Sequence, residues 1–185
     1  CCPAWVDYCE KNYHDLLPNL SSAKSPQQMM GAAIKTYWAQ NMNIDPKKIF
    51  SMSIMPCTAK KWELQRDENM NSAGTLRDVD TSITTREFAH LIKQAGIDFR
   101  NIEKSDADSP LGQYTGAGTI FGVTGGVMEA ALRTAYKLIT DKELGDVNFM
   151  DVRGLDGVKE AKVVIEGTEI RLCIINQLGN VDKIV

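Results

Sequence analysis

The segment from Lys48 to Glu63 constrains this chain more than any other. Ile49, Ser51, Ser53 and Met55 alternate with Phe50, Met52 and Ile54, which is the two-residue period of a β-strand. The strand ends at Pro56-Cys57, and Thr58-Ala59-Lys60-Lys61-Trp62-Glu63 follows as a helix start. A strand that runs into a loop ahead of a helix is the unit of α/β folds, and such folds place ligands beyond the carboxyl ends of their strands.

The rest of the chain supplies further helices and strands of the same kind. A helix is predicted from Pro3 to about Leu17, with Trp5, Tyr8, Cys9, Tyr13 and Leu16 near one face and Cys9 as a small core residue. Pro18 to Lys24 reads as a loop centred on Ser21-Ser22. Ser25-Pro26-Gln27-Gln28 opens a helix that continues through Met29, Ala33 and Tyr37 to about Gln40. Ser25 is its expected cap, Pro26 suits the first turn, and Gln28 can reach back to the cap amide. Asp67 to Leu76 is polar and loop-like, and Arg77 to Ile83 reads as a second short strand. Thr84-Thr85-Arg86-Glu87 is a capping box that opens a helix carrying Phe88, Leu91, Ile92 and Ala95, stopped by Gly96. Residues 98–114 are polar and acidic and read as a crossing between lobes. A helix follows from Val127 to about Thr140. Val147 to Arg153 and Lys162 to Ile165 read as strands, with Glu169 to Ile175 a hairpin partner turning at Gly167-Thr168.

Composition removes several classes of function. The chain has 185 residues, 43% hydrophobic and 24% charged, enough to bury a core as one domain or two small lobes. Its net charge of −3 argues against a nucleic-acid or anionic-membrane surface. No apolar run approaches the roughly 18 residues of a membrane span. The start, Cys1-Cys2-Pro3, lacks both a Met and the basic-then-apolar pattern of a signal peptide, and reads as a piece of a longer protein.

The five cysteines are Cys1, Cys2, Cys9, Cys57 and Cys173. An odd number in a chain of this length does not suit a disulfide framework, and reducing conditions fit better. No CxxC pair is present, so no structural zinc site is expected. A ring closed between Cys1 and Cys2 would be strained. Adjacent side chains point in different directions, so one thiol could hold a metal while the other serves a separate task. The alternative is two ordinary thiols. Cys57 precedes a helix start, which favours thiolate, the form that binds iron. Lys60 lies one turn on, within reach of an anion near Cys57, and Glu63 could orient it. The plainer reading of Lys60 and Glu63 is a solvated surface pair.

Gly116 to Gly126 contains neither GxGxxG between strand and helix nor a phosphate-binding GxxxxGK[ST]. Its glycines suit close approach of backbone amides to some other anionic or bulky group. His14 and His90 sit in amphipathic helices as ordinary surface or packing residues, and Cys173 reads as an inert core thiol.

Taken together, several segments closely resemble one family. They are Cys1-Cys2-Pro3-Ala4-Trp5, Asn19 to Gln28, Met55 to Glu63, Phe121 to Ala131, and Val152 to Gly157. In family order and over essentially the whole chain, they look like the catalytic domain of the [FeFe] hydrogenases. The resemblance implies an α/β fold of two lobes of twisted mixed β-sheet flanked by helices, with residues 1–110 mostly one lobe and 111–185 mostly the other. It implies reversible H2 formation from protons and electrons at an H-cluster, a [4Fe–4S] cubane joined to a diiron unit carrying CO, cyanide and an amine dithiolate. Carried over by motif, Cys2 and Cys57 would be cubane ligands, and Cys1 the proton donor and acceptor beside the bridging amine. Lys60 would bind a cyanide, Gln27 would lie near the diiron unit, and Met55 would pack against it. Ser21 would match the serine of the proton path, and Phe121 would wall the cavity. A buried anionic cluster needs such fixed cations and donors.

The family's other two cubane ligands lie in a later Cys-x-x-x-Cys segment, and its proton-path glutamates precede the cysteine pair. Neither falls between Cys1 and Val185, so the chain is expected to hold an incomplete cluster and to be inactive alone. The resemblance further implies a cytoplasmic, anaerobic setting, with a periplasmic one as in some relatives as the alternative, an electron partner such as ferredoxin, and maturation proteins. Two related readings use the same scaffold: an iron–sulfur carrier or assembly protein, and an H2 sensor. Cys1, Met55 and Lys60 favour the hydrogenase, because only diiron chemistry employs all three. Cys1 and Ser21 favour turnover over sensing.

Overall fold

The computed structural model describes residues 1–66 and 70–185; residues 67–69, part of the expected polar loop, lie outside them. The chain divides into two compact units, Cys1–Gly112 and Gln113–Val185. Both mix helices with a small sheet. Among the described residues no helix is long and apolar enough to cross a membrane.

In the first unit, Cys2 takes an extended backbone and Pro3 starts α1 (Pro3–Asn12). The helix is shorter than the expected run to Leu17. Tyr13 leaves helical geometry, and His14–Asn19 tighten into a 3₁₀ turn around Pro18. Pro18 has no N–H to give to a preceding turn and crowds Leu17, so an α-helix cannot run through it. Cys9 is fully buried, as expected, and burial together with Glu10 raises its thiol pKa.

A second helical run begins with α2 (Pro26–Ala33), widens into a π turn over Ile34–Trp38 and ends in α3 (Ala39–Asn41). Its inner face lies on the segment 77–80. Gly31 faces the Asp78 carbonyl and the Val79 side chain. One turn on, the fully buried Lys35 places Nζ 2.7 Å from the Asp80 carboxylate and donates to the Arg77 carbonyl at 2.5 Å.

These ties explain why the expected strands are shorter in the fold. β1 is Met52–Met55 and β2 is Thr81–Thr84, paired in parallel with Met52 opposite Thr81 and Met55 opposite Thr84. Ahead of β1, residues Pro46–Lys48 form a 3₁₀ turn, with the Asp45 carboxylate accepting from the Lys47 amide at 3.0 Å. Ahead of β2, the buried Asp78 carboxylate accepts from Lys24 and Ser72, so Arg77–Asp80 serve as a clamp and not as strand. A parallel pair needs a crossover connection, and it carries α4 (Ala59–Glu63). The unit's last helix, α5 (Thr85–Gln94), opens with the expected capping box and is followed by Gly96 in the left-handed region at φ +69°.

The second unit holds α6 (Gly116–Ile120), α7 (Gly126–Thr140) and an antiparallel sheet of β3 (Met150–Asp151), β4 (Val158–Ile165) and β5 (Thr168–Ile175), in that order. The expected strand over Val147 to Arg153 shrinks to two residues, and the one expected from Lys162 starts four residues earlier. The hairpin turns at Glu166-Gly167, both with positive φ, as a tight hairpin of the primed type requires. Leu132 of α7 packs on Val163 and Ile165 of β4, with Tyr136, Leu144, Val147, Ile170 and Leu172 around them. Cys173 is exposed and not a core thiol, because it occupies the outer face of β5 opposite Glu160. Partial burial of its sulfur and the Glu160 carboxylate raise its pKa.

Candidate functional site

The carboxyl end of β1 leads through Met55 and Pro56 to Cys57 and then into α4. Along β1 the faces are reversed from the usual pattern: Met52 and Ile54 are exposed, whereas Ser53 and Met55 turn inward. A serine is tolerated on the inner face because it has a partner. Its hydroxyl donates to Gln27 Oε1 at 2.8 Å.

Gln27 belongs to a buried polar network joining α2, β1 and α4. Its amide Nε2 donates to Glu63 Oε2 at 3.1 Å. Ser25 donates to the other carboxylate oxygen, Glu63 Oε1. Lys60 Nζ lies 2.8 Å from Glu63 Oε2 and donates to the Cys1 carbonyl at 2.7 Å. Ser25, Gln27, Lys60 and Glu63 are all at least nine-tenths buried. Lys60 and Glu63 are therefore a buried pair, not a solvated one. Ser25 forms no cap hydrogen bond, because its hydroxyl is committed to Glu63. The Gln28 amide is buried with no hydrogen-bond partner among the described residues, so it does not complete the expected cap.

The Lys60–Cys1 bond holds the start of the chain over α4. A second tie pairs Arg66 with Glu10 of α1 and lays its guanidinium over the Trp62 ring, 4.6 Å from the centroid. Arg66 thereby lowers the Glu10 pKa. The cysteine pair and Cys57 thus come from one region of the first unit. Cys1, Cys2 and Cys57 are all free and exposed. Among the described residues, no group of three or more His, Cys, Asp or Glu side chains is gathered as a metal site. The arrangement here is a desolvated cation bonded to the backbone carbonyl of Cys1, with exposed thiols on Cys1, Cys2 and Cys57. Such an arrangement suits an anionic, thiolate-bound group, with part of its ligand set supplied here.

The other candidates are placed as follows. Met55 is half-buried at the end of β1. Ser21 is exposed, accepts from the Ala23 amide at 3.2 Å and takes no part in the buried network. Phe121 lies in the second unit between α6 and α7 and is 43% exposed. There Gly126 comes against the Ile120 carbonyl too closely for any side chain. Sequence reasoning missed Ser53 and misread Ser25. Only the placement of an inward serine on β1, opposite the amide-rich start of α2, could have signalled either.

Comparison with known proteins shows the family. The whole chain, residues 1–185, matches the family model described as "Iron only hydrogenase large subunit, C-terminal domain". It is 51% identical over 183 residues to iron hydrogenase 1 of Clostridium pasteurianum, covering 99% of this chain and 32% of that protein. It is 51% identical to the periplasmic [Fe] hydrogenase large subunit of Nitratidesulfovibrio vulgaris over 95% of this chain and 41% of that one. Protein NAR1 of Arabidopsis thaliana is more distant, at 34% over all of this chain and 41% of its own length. An apo [FeFe]-hydrogenase structure from Chlamydomonas reinhardtii superposes with a TM-score of 0.83 at 39% identity, over 99% of this chain and 53% of that one. The chain thus spans between a third and about half of these relatives.

Proposed function

The chain belongs to the iron-only hydrogenase large-subunit family, and on that premise we propose that it forms part of an [FeFe] hydrogenase that interconverts H2 with two protons and two electrons. The observation that carries the reading is Lys60, a buried ammonium held beside Cys1 with a proton to spare. Lysine has three N–H donors, and two are taken by the Cys1 carbonyl and Glu63. The higher identity to hydrogenases, 51% against 34% for the NAR1 protein, supports this reading over cluster assembly.

The group implied is the H-cluster, which supplies the redox chemistry when bound. The residues present suit it in kind: exposed thiols as donors and a fixed cation for its anionic ligands. Cys2 and Cys57 would hold its cubane as thiolates. Cys2 lies on extended backbone at φ −99° and ψ 102°, where successive side chains diverge. Cys1 is thereby left free to hold and move a proton at Sγ. Ser21 Oγ would pass that proton on. Lys60 would donate its remaining N–H to a cyanide. Gln27 would brace the site from α2, and Met55 would exclude water. Electrons would come from a redox protein such as ferredoxin, and maturation proteins would load the cluster. The odd set of five cysteines supports a reducing setting, which we take as cytoplasmic, with a periplasmic setting like that of the Nitratidesulfovibrio relative as the alternative.

The test is Cys1→Ala in the full-length, cluster-loaded protein. H2 evolution from a reduced viologen should fall by about a hundredfold or more, with the iron–sulfur resonance signal intact. Evolution at the unsubstituted rate would overturn the assignment.

A further inference from the structure

We propose that Glu63 is a positioning residue for Lys60: its carboxylate, fixed on both oxygens by Ser25, Gln27 and Lys60, aims the one uncommitted N–H of that lysine. The inference rests on the hydrogenase reading above and adds to it a residue that does not touch the cluster.

The geometry gives Glu63 no freedom. Its side chain is 5% exposed. Ser25 occupies Oε1, while Gln27 and Lys60 converge on Oε2. Gln27 cannot rotate its amide, because Ser53 donates to its Oε1 and leaves Nε2 for Glu63. Ser25 and Gln27 come from the start of α2, and Ser53 of β1 holds Gln27 in turn, so the direction of one α4 carboxylate is set from α2 with β1 behind it. Gln27 therefore acts as a brace, with both ends of its amide engaged.

The effect passes to Lys60 in two ways. A buried ammonium without a counter-charge is strongly disfavoured, and Glu63 supplies the only carboxylate paired with it among the described residues. Second, a lysine side chain is a flexible point charge with rotatable donors. With one N–H directed at Glu63 and one at the Cys1 carbonyl, the tetrahedral ammonium leaves its third N–H in a single direction. A donor fixed in advance in a desolvated site stabilises an anion without reorganising.

The test compares Glu63→Gln with Lys60→Met in the full-length, cluster-loaded protein. The readout is the infrared cyanide stretch, which reports the hydrogen bond that a cyanide receives. Both variants should displace a cyanide band, and Glu63→Gln should lower kcat about tenfold or more with little change in KM for the electron donor. A band displaced by Lys60→Met but unmoved by Glu63→Gln would overturn the positioning role and leave the hydrogenase reading standing. Bands unmoved in both would overturn the placement of Lys60 and this inference with it. If Glu63→Gln fails to fold, Ser25→Ala frees only Oε1 and should displace the same band by less. No displacement there overturns the proposal.

Discussion

Gly31 has no room for a methyl group: a Cβ there would overlap the Asp78 carbonyl and press on Val79. Gly31→Ala should therefore destabilise the first unit by about 1–3 kcal/mol, seen as a lower urea midpoint at unchanged slope. Gly116→Ala, which meets open space, should change stability by less than about 0.5 kcal/mol. Single residues also mark how far the sequence could be read. Cys9 was legible as core from its place on an apolar helical face. Cys173 was not, because alternation along β5 says which residues share a face but not which face is covered. Ser25 before Pro26 reads as a helix cap from its neighbours alone. In the fold a carboxylate from α4 takes its hydroxyl instead.

At the scale of the element, α5 shows what local chemistry can determine unaided. Thr84 accepts from the Glu87 amide at 3.2 Å, and Glu87 accepts from the Thr84 amide at 2.7 Å. Lys61 adds an ion pair at 2.5 Å. The Lys61 ammonium and the two Thr84 donors lower the Glu87 pKa from its ordinary 4.5 to about 2. A depressed carboxylate stabilises the folded state above its unfolded pKa, and that contribution is lost as pH falls through the folded value. The first turn of α5 should therefore lose amide protection progressively between about pH 4.5 and pH 2. Glu87→Gln should flatten that limb; an unchanged acid dependence in the variant would refute this account. β1 shows the opposite case. Its period was legible, but Ser53 turns inward and Met52 and Ile54 outward, because α2 presents an amide where an apolar side chain would normally meet the strand.

For the whole molecule, each unit has its own sheet, parallel in the first and antiparallel in the second. In the second, Leu132 joins α7 to the hairpin. Leu132→Ala should cost about 2–5 kcal/mol and increase hydrogen exchange along β4 and β5; exchange unchanged there would show that the contact contributes little. The sequence by itself determined where α1, α2 and α5 begin and which motifs the chain carries. Pro3, Pro26 and the Thr84 box act through partners a few residues away, so a short window holds the whole interaction. Only the tertiary structure decided how the polar groups are paired. Ser25 meets Glu63 across 38 positions, Ser53 meets Gln27 across 26 and Lys35 meets Asp80 across 45. No local period encodes such pairs. Each exists because burial leaves those groups without water, and packing brings one complementary partner within reach.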